Sequence, residues 1–483
     1  MGALRKHGGV TGHSIEKSRC ILTRTSKLTE VQQLAEFVER ADVTDMSADA
    51  VRQLKIRTLD TLGVAIGALK AEPMIAIRKL IDDLGGAPKA TLIGGGKTSP
   101  ERAAFYNSAL SRYLDFMDSY LAPGETNHPS DNFGAVLAAA EAREADGSSL
   151  LSALAVAYQV HTRLSDVAPV RAKGFDHTTQ GAYAAAAAAS KAFGLPPEQA
   201  ANAIAIAGTA NNALRVTRTG DLSHWKGLAY PHVSKEGMWS VLLASRGMTG
   251  PAEVFEGNKG FKESIAGDFE LDWSTEDLEK VTATIVKKHN AEIHSQSALD
   301  AALDIRSRDG FDVEAITGIK LKTFDVAYSI IGGGEEGDKL SIRTKEEADH
   351  SLPWMLAAIL LDGELNPAQY DPQRIIADDV QSLMHKIEIV PDAQLSAQFP
   401  DKMPADLSVT FGDGTVMNSF KDSYEGFHDN PLTWEAARRK FDRLTAPFAN
   451  EQLRDQIAQT VESLEKHNVT DLTSLLAQVG HDQ

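Results

Sequence analysis

The chain has 483 residues, of which 42% are hydrophobic and 24% are charged, a composition typical of a globular protein with a large buried core. Its formal net charge of −18 argues against non-specific binding to nucleic acid or to anionic membranes. No apolar run approaches the roughly 18 residues that a membrane-spanning helix requires. The single cysteine, Cys20, excludes a disulfide within the chain and a self-contained iron–sulfur cluster, and it fits a reducing compartment.

The first 27 residues are more basic than the rest of the chain. They contain six lysines and arginines against one acidic residue, Glu16, which is typical of a mitochondrial transit peptide. Gly8, Gly9 and Gly12 nevertheless disfavour the amphipathic helix that such a peptide forms. We therefore expect a disordered tail on a cytoplasmic protein, with the mitochondrial matrix as the alternative.

Residues 28–280 are predicted to form an all-helical domain. Ser47 can cap a helix that carries apolar residues at near-helical spacing from Val51 onward, and helical patterns continue through most of this range. Residues 182–192 are nearly all alanine, the strongest helix former, whose small side chain lets neighbouring helices approach closely. This helix is therefore predicted to be central and to be surrounded by others.

Strand patterns begin only after residue 280. Ile319, Leu321 and Thr323 alternate with lysines, and residues 386–389 repeat this alternation. Residues 407–417 have the pattern of a hairpin with a tight turn. The helical pattern then returns.

The predicted fold class is mainly α, a large all-helical domain with an inserted smaller α+β domain. Residues 281–425 are assigned to that α+β domain, which would act as a lid. Residues 426–483 are expected to form C-terminal helices that pack back on the helical domain. Ligands are expected at the boundary, because a second domain of this kind usually closes over a cleft.

The most distinctive segment is residues 113–132, which lie between two predicted helices. Pro123, Gly124 and Pro129 predict a loop because they interrupt any helix. The segment carries three aspartates, one glutamate, one histidine and three serine or threonine hydroxyls. Carboxylates and imidazoles displayed on a loop are typical of general acid–base catalysis.

A second segment is basic although the chain is strongly acidic. Between residues 214 and 235 the sequence has one acidic residue, Asp221, and six basic or imidazole side chains: Arg215, Arg218, His224, Lys226, His232 and Lys235. Interleaved glycines and aromatic residues favour a shaped pocket for an anion over a solvated helix face. Further polar clusters occupy residues 174–180, 287–296 and 349–354.

Two glycine-rich segments and the histidine spacings are rejected as sites. Residues 332–337 match a dinucleotide-binding pattern, but Glu335 and Glu336 would repel a pyrophosphate. Residues 94–98 lack a glycine that a phosphate-binding loop requires, and Pro100 is expected to stop a helix, so a turn is predicted. No histidine pair has the spacing of a metal-binding helix motif, and no metal is predicted.

Taken together, these segments resemble the 2-methylcitrate dehydratase family (MmgE/PrpD), which also includes cis-aconitate decarboxylase. The resemblance is carried by residues 112–120 with 128–132, by residues 220–227 and 247–257, and by residues 291–296. It extends from about residue 30 to residue 480. It implies a homodimer whose subunits have a helical domain and an α+β lid, and it implies action on a tricarboxylate without a cofactor.

The same resemblance implies which residues form the site. Five positions match the family's catalytic residues: Asp115, Ser119, His128, Lys226 and His294. Asp115 and His128 are expected to be the acid–base pair, while Lys226 and His294 would bind carboxylates and stabilise charge. Three more residues are candidates for substrate contact, with a structural role as the equal alternative: His177, Arg215 and Arg218. His161 is expected to be an ordinary helix residue.

The implied activity is the dehydration of 2-methylcitrate, or of a related 2-hydroxy tricarboxylate, to 2-methyl-cis-aconitate in the methylcitrate cycle of propionate catabolism. A base would take a proton from the carbon next to a carboxylate, and an acid would protonate the departing hydroxyl. The open alternatives are decarboxylation of cis-aconitate to itaconate, a family epimerase, and a protein that binds tricarboxylates without converting them.

Overall fold

The computed structural model describes residues 28–220 and 222–480. The predicted tail of residues 1–27 therefore lies outside the described residues. The described part is mainly helical with a few small sheets, so the predicted fold class is confirmed.

Within the described residues, nine α-helices precede residue 245. They are α1 (Glu30–Arg40), α2 (Ala48–Gly67), α3 (Glu72–Leu84), α4 (Pro100–Tyr113), α5 (Phe133–Ala142), α6 (Gly147–Val167), α7 (Thr178–Phe193), α8 (Pro197–Ala210) and α9 (Trp225–Ala244). Ser47 caps α2 as predicted, because its side chain accepts a hydrogen bond from Ala50 N. Pro100 does not stop a helix but begins α4, where its missing N–H is not needed.

Helix α7 is the alanine-rich helix, and nearly all of its residues are buried. Helices α5, α6, α8 and α9 pack against it. Helix α9 can approach closely because Gly181 has no side chain, and a Cβ there would lie 2.5 Å from Tyr230 Cε2. The predicted central helix surrounded by others is therefore confirmed.

The prediction of helix beyond residue 245 is wrong. Between α9 and residue 284 the chain forms only a π-helical turn, Lys262–Ala266, and a 3₁₀ turn, Glu279–Ala283. The stretch contains Gly247, Gly250 and Pro251. Each glycine costs a helix about 1 kcal/mol and each proline about 3 kcal/mol, which outweighs the helix-forming residues between them.

A short hairpin lies between α3 and α4. Strands β1 (Ala90–Thr91) and β2 (Lys97–Thr98) are antiparallel. Gly94, Gly95 and Gly96 connect them, and all three have positive φ. The turn predicted here is therefore confirmed.

Residues 113–132 form a hairpin where a loop was expected. Strands β3 (Asp118–Ala122) and β4 (Glu125–Asn127) pair on either side of Pro123 and Gly124. The hairpin forms because Gly124 adopts the φ of 77° that a tight turn allows. Strand β5 (Ile285–Val286) pairs with the other edge of β3 and thereby brings a distant segment beside residue 115.

A second hydrophobic core lies between residues 291 and 411. Its four-stranded sheet has the order β7-β6-β8-β9 and consists of β6 (Ile316–Thr323), β7 (Ile387–Pro391), β8 (Ala405–Phe411) and β9 (Val416–Lys421). Strands β6 and β7 are parallel, and the other two pairs are antiparallel. The strands and the hairpin predicted from alternation are confirmed.

The helices of this second part lie around the sheet. They are α10 (Gln296–Arg306), α11 (Asp325–Ile331), α12 (Lys345–Ala348), α13 (Leu352–Asp362), α14 (Pro372–Ile375), α15 (Asp378–Met384) and α16 (Ala393–Ser396). Helix α13 is the most apolar of them, and its residues from Leu352 to Leu360 are buried.

Three C-terminal helices return to the first core. They are α17 (Trp434–Thr445), α18 (Glu451–Glu462) and α19 (Val469–Leu476). Helix α17 packs on α2, and apolar residues of all three helices join the hydrophobic cluster that contains α1 to α9. The domain boundaries drawn from the sequence stay a prediction. No helix within the described ranges is both long and apolar enough to cross a membrane.

The return of the C-terminal segment depends on Gly147 at the start of α6. Its N–H donates to His467 O at 2.8 Å, and a Cβ would lie only 1.8 Å from Leu464 O. We expect Gly147→Ala to lower the free energy of unfolding by about 1–3 kcal/mol, because backbone atoms must move apart. Chemical and thermal denaturation measure this change. Gly227→Ala, with nothing within 4 Å of the new Cβ, is the control and should leave stability equal or higher.

Candidate active site

A cleft lies where the helical part meets the second core. It holds about 610 Å³ of empty space, part of it open to solvent. Its described lining has six lysines and arginines, four carboxylates and four histidines: Arg112, Arg171, Arg215, Arg218, Lys226, Lys287, Asp115, Glu125, Glu292, Glu336, His128, His177, His294 and His350. Positive charge exceeds negative charge here although the chain's net charge is −18, which suits an anionic ligand.

The structure brings together all eight residues that the sequence singled out. Seven of them line the cleft: Asp115, His128, His177, Arg215, Arg218, Lys226 and His294. The eighth, Ser119, is completely buried and contacts the ring of His128.

Asp115 is surrounded by cations. It follows the end of α4 with a φ of 53°, which is unusual for a residue other than glycine. Its carboxylate accepts hydrogen bonds from Arg112 Nη1 at 2.8 Å and Lys287 Nζ at 2.7 Å, and Lys226 Nζ lies 3.6 Å away. Burial would raise the pKa of Asp115, but these cations hold it well below its usual range. The carboxylate is therefore ionised and poorly suited to donate a proton near neutral pH.

His128 is held in one tautomer by β3. Its Nδ1 lies 2.7 Å from the carbonyl oxygen of Asp118 and 3.1 Å from Ser119 Oγ. Because a carbonyl oxygen can only accept, Nδ1 carries the proton and Nε2 keeps a free lone pair. Burial, together with Arg112 and Lys287, lowers the pKa of His128 well below its usual value. The ring is therefore neutral at neutral pH, and Nε2 can act as a base.

Lys226 is the second residue of α9 and is buried. Its Nζ lies 3.1 Å from Asp349 Oδ1 and 2.9 Å from His350 Nδ1. Burial lowers the pKa of Lys226, and the carboxylates of Asp349 and Asp115 offset only part of this effect. The buried ammonium group therefore releases a proton more readily than that of an exposed lysine.

Three side chains around Lys226 could also act as metal ligands. Asp115, Asp349 and His350 each place one ligand atom within 4.8 Å of the others. Lys226 Nζ already lies 3.6, 3.1 and 2.9 Å from these groups, and Lys345 Nζ contacts Asp349 at 2.6 Å. A metal ion would have to share this space with two ammonium groups, so the arrangement favours Lys226 as the bound cation. Function without a metal stays a prediction.

His294 is oriented by Glu292. Its Nδ1 donates to Glu292 Oε1 at 2.7 Å, and its backbone N–H donates to Glu292 Oε2 at 2.7 Å. Burial would raise the pKa of Glu292, but His294 lowers it to about 2. His294 Nε2 is buried and has no hydrogen-bond partner among the described residues, so a bound ligand could supply one.

The rings of His177 and His161 are buried and pack in sequence next to His128. The ring centroids of His177 and His128 are 5.5 Å apart, and those of His161 and His177 are 6.3 Å apart. Burial lowers the pKa of both residues, that of His161 to about 3. His161, expected to be an ordinary helix residue, thus lies against a residue of the cleft.

The arginines of the cleft contact carboxylates of the chain itself. Arg218 Nε donates to Asp176 Oδ2 at 2.6 Å, and Arg215 Nη1 lies 3.9 Å from the same oxygen. Glu336 Oε1 lies 2.9 Å from Arg171 Nη2 and 3.3 Å from Arg215 Nη2. Arg215 and Arg218 are therefore both at the site and already paired.

Sequence reasoning missed several residues of the cleft or its immediate surroundings: Arg112, Lys287, Glu292, Asp349, His350, Arg171 and Glu336. The first five lie within segments that were singled out, so neighbourhood in the sequence is the signal that could have found them. Glu336 lies in the glycine-rich segment rejected as a nucleotide site. Arg171 belongs to no motif, and its position depends on the fold.

The neutral histidines predict a fold that is sensitive to acid. His128, His161 and His177 have pKa values below 6.5 in the folded chain, so the unfolded chain binds more protons as pH falls. We expect the contribution of these three histidines to the free energy of unfolding to be steady above pH 6.5. Below pH 6.5, each histidine should lower the free energy of unfolding by up to about 1.4 kcal/mol per pH unit.

Denaturation between about pH 7.5 and pH 5 measures this dependence, since this window spans the ordinary histidine pKa. The substitution His161→Gln should make the decline shallower, and exposed His385→Gln controls for loss of an imidazole at the surface. A decline equally steep in the wild type and in His161→Gln would contradict the assignment of His161 as a buried neutral group.

Family comparison covers most of the chain. Residues 32–274 match the MmgE/PrpD N-terminal domain, and residues 289–466 match the MmgE/PrpD C-terminal domain. The first match contains most of α1, all of α2 to α9 and the hairpin of Asp115 and His128, and the second contains His294 and the four-stranded sheet.

Individual relatives are similar at lower identity. The chain is 27% identical over 460 residues to a 2-methylcitrate dehydratase of Cupriavidus necator, covering 86% of this chain and 90% of the relative. It is 26% identical over 418 residues to a mitochondrial 2-methylcitrate dehydratase of Yarrowia lipolytica, covering 82% and 79%. It is 25% identical over 478 residues to a cis-aconitate decarboxylase of Mus musculus, covering 92% and 93%. Because the two family models together span most of its length, the chain belongs to the MmgE/PrpD family.

Proposed function

We propose that the protein is a hydro-lyase that dehydrates 2-methylcitrate, or a closely related 2-hydroxy tricarboxylate, to 2-methyl-cis-aconitate. The observation that carries the proposal is the neutral His128, held with Nε2 free, in the same cation-lined cleft as the buried Lys226. The relatives named 2-methylcitrate dehydratase support the choice of substrate.

In the proposed reaction, His128 Nε2 takes the proton from the carbon next to a substrate carboxylate. The electron pair of that C–H bond becomes the new C=C bond, and the hydroxyl leaves as water after Lys226 donates a proton to it. The cations of the cleft stabilise the negative charge that develops on the carboxylate. His294, oriented by Glu292, is placed to bind a substrate carboxylate.

Asp115 has a different role in this proposal from the acid–base role expected from the sequence. Because Arg112 and Lys287 hold its carboxylate ionised, Asp115 is better suited to position the ammonium group of Lys226. Ser119 supports the tautomer of His128, because its Oγ lies 3.1 Å from the protonated Nδ1. His177, Arg215 and Arg218 contribute shape and positive charge to the lining.

Decarboxylation of cis-aconitate is a second candidate, because the mouse relative with that name aligns over 92% of this chain. Loss of carbon dioxide would leave a carbanion that needs a proton, and Lys226 could donate it. This reaction has no need for His128 as a base. An epimerase, or a protein that only binds tricarboxylates, would give neither product.

We also propose that the protein works as a homodimer in the cytoplasm and without a cofactor, as the family resemblance implies. One yeast relative is named as mitochondrial, so the mitochondrial matrix stays the alternative compartment.

The outward face of α9 supports the dimer. Trp225 and Trp239 on this face are each 46% exposed. Three half-buried leucines continue it: Leu228, Leu242 and Leu243.

The outward face of α9 is complementary to a second copy of itself. Trp225 and Trp239 lie seven residues on either side of His232, so two antiparallel copies would bring Trp225 of one against Trp239 of the other. We therefore propose that a second copy of this chain covers the outward face of α9. This contact would stabilise the helix that carries Lys226.

The substitution Trp239→Glu should convert the dimer to a monomer, because it places a charge in an apolar contact. Light scattering after size exclusion, or sedimentation velocity, measures the mass. Phe420→Glu on β9, at a side chain that is 53% exposed, is the matched control and should leave the mass unchanged. A monomeric wild type at micromolar concentration, or a dimeric Trp239→Glu, would contradict the proposed interface.

Turnover is tested by incubating the metal-stripped protein separately with 2-methylcitrate, citrate and cis-aconitate. We expect a conjugated product from 2-methylcitrate, detected by ultraviolet absorbance, and no loss of carbon dioxide by mass spectrometry. His128→Asn and Lys226→Met should each lower kcat about 10²- to 10⁴-fold, because each removes a proton-transfer group. Lys320→Met, at an exposed lysine of β6, is the control.

The outcomes separate the candidates. Itaconate from cis-aconitate would favour the decarboxylase, and binding without turnover would favour a tricarboxylate-binding protein. If His128→Asn lost less than about tenfold in kcat while folded, His128 would be removed from the catalytic set.

A further inference from the structure

Each of the six cations in the described lining of the cleft is already paired with a carboxylate of the chain. Lys226 and Lys287 contact Asp115, as does Arg112. Arg218 pairs with Asp176, and the remaining two arginines share Glu336. An incoming polycarboxylate therefore competes with these internal carboxylates for close ion pairs.

Glu336 is the carboxylate that can be replaced at the lowest cost. Its side chain is 16% exposed, whereas those of Asp115 and Asp176 are 6% and 0% exposed. Displacing a buried aspartate would leave a charged group without water or partner, which costs several kcal/mol. Displacing Glu336 would return its carboxylate to solvent.

The segment that carries Glu336 is rich in glycine. Residues 332–337 follow α11 and contain four glycines, of which Gly333 and Gly337 have φ values of 99° and 96°. Glu336 N–H donates to Ser329 O at 3.0 Å, a contact with the end of α11 and not with the arginines. Glycine-rich segments of this kind can absorb the φ and ψ changes of a closing or opening loop.

The two arginines, in contrast, are held by the helical part of the chain. Arg171 N–H donates to Glu125 Oε2 at 3.1 Å, and Arg215 N–H donates to Gly174 O at 2.9 Å. Burial and the neighbouring Arg171 lower the pKa of Arg215, which reflects two guanidinium groups that repel each other. The backbone of each arginine is therefore anchored independently of Glu336, and without Glu336 the two guanidinium groups would favour another anion.

We propose that Arg171 and Arg215 form a carboxylate-binding subsite, which Glu336 occupies in the ligand-free chain and vacates when a polycarboxylate binds. The proposal rests on the proposed function only for the class of ligand. Glu336 Oε1 bridges Arg171 and Arg215 at 2.9 and 3.3 Å, so a ligand carboxylate oxygen in the same place could contact both guanidinium groups. The subsite would take the carboxylate farthest from His128 and Lys226, and it would thereby select ligands by the placement of their carboxylates.

Citrate is the probe for this subsite, and isothermal titration calorimetry on the full chain measures its binding. Glu336→Gln keeps the size of the side chain and removes the competing charge, so we expect citrate to bind about tenfold more tightly. Glu335→Gln, one residue earlier and exposed, makes the same charge change outside the cleft and should leave the affinity unchanged. Arg171→Met should weaken citrate binding about tenfold or more.

A double substitution tests whether the two groups act together. In the Arg171→Met background, Glu336→Gln should tighten citrate binding by much less than it does in the wild type, because the shared partner is gone. Equal or weaker binding by Glu336→Gln, or equal gains from Glu335→Gln and Glu336→Gln, would overturn the proposal. Undetectable binding of citrate to the wild type would overturn it as well.

The failure of this proposal can be told apart from failure of the proposed function. Tighter citrate binding by Glu336→Gln without any dehydration of 2-methylcitrate would support the subsite and refute the hydro-lyase. Dehydration by the wild type with no change of citrate affinity in Glu336→Gln would support the hydro-lyase and refute the subsite.

Discussion

The buried charge cluster around Asp115 and Asp349 is the interaction on which the site depends. These two carboxylates hold four cationic side chains: Arg112, Lys226, Lys287 and Lys345. The cations come from the end of α4, the start of α9, the residue after β5, and α12, so the cluster forms only when all four segments are docked. Removing one partner from such a buried set leaves an uncompensated charge and costs about 3–5 kcal/mol. The same contacts therefore fix the geometry of the cleft and join the two hydrophobic cores.

The pairing of β3 with β5 places the base and the charge cluster side by side. The register sets Asp118 opposite Val286, so Lys287 follows directly and its Nζ reaches both the carboxylate and the carbonyl oxygen of Asp115. The carbonyl oxygen of Asp118 in the same strand fixes the tautomer of His128. A register shift by one residue would turn these side chains to the other face of the strand. The pairing of β3 with β5 thus determines both the tautomer of His128 and the salt bridge between Asp115 and Lys287.

The sequence predicted those features that depend on local pattern. The alanine helix, the alternating strands around Ile319 and the cap at Ser47 follow from propensity and periodicity, and they are present in the structure. The pairing of β3 with β5 was not predictable from residues 113–132 alone, because β5 lies more than 150 residues later. The same limit applies to Arg171 and Glu336, which meet through the packing of two separate cores. Motifs located the acidic and basic segments, and long-range pairing decided which carboxylate each cation contacts.

The paired state of the cleft has a consequence for how an anion is recognised. A protein of net charge −18 repels a polyanion at long range, so recognition has to come from the local excess of cations. While Glu336 bridges Arg171 and Arg215, that excess is smaller than it is once the loop of residues 332–337 has moved Glu336 away from them. Ligand binding and loop displacement are then linked, since each is more favourable when the other has occurred. A ligand with too few carboxylates would not replace Glu336, so the internal carboxylate gives selectivity through exchange and not through an empty positive pocket.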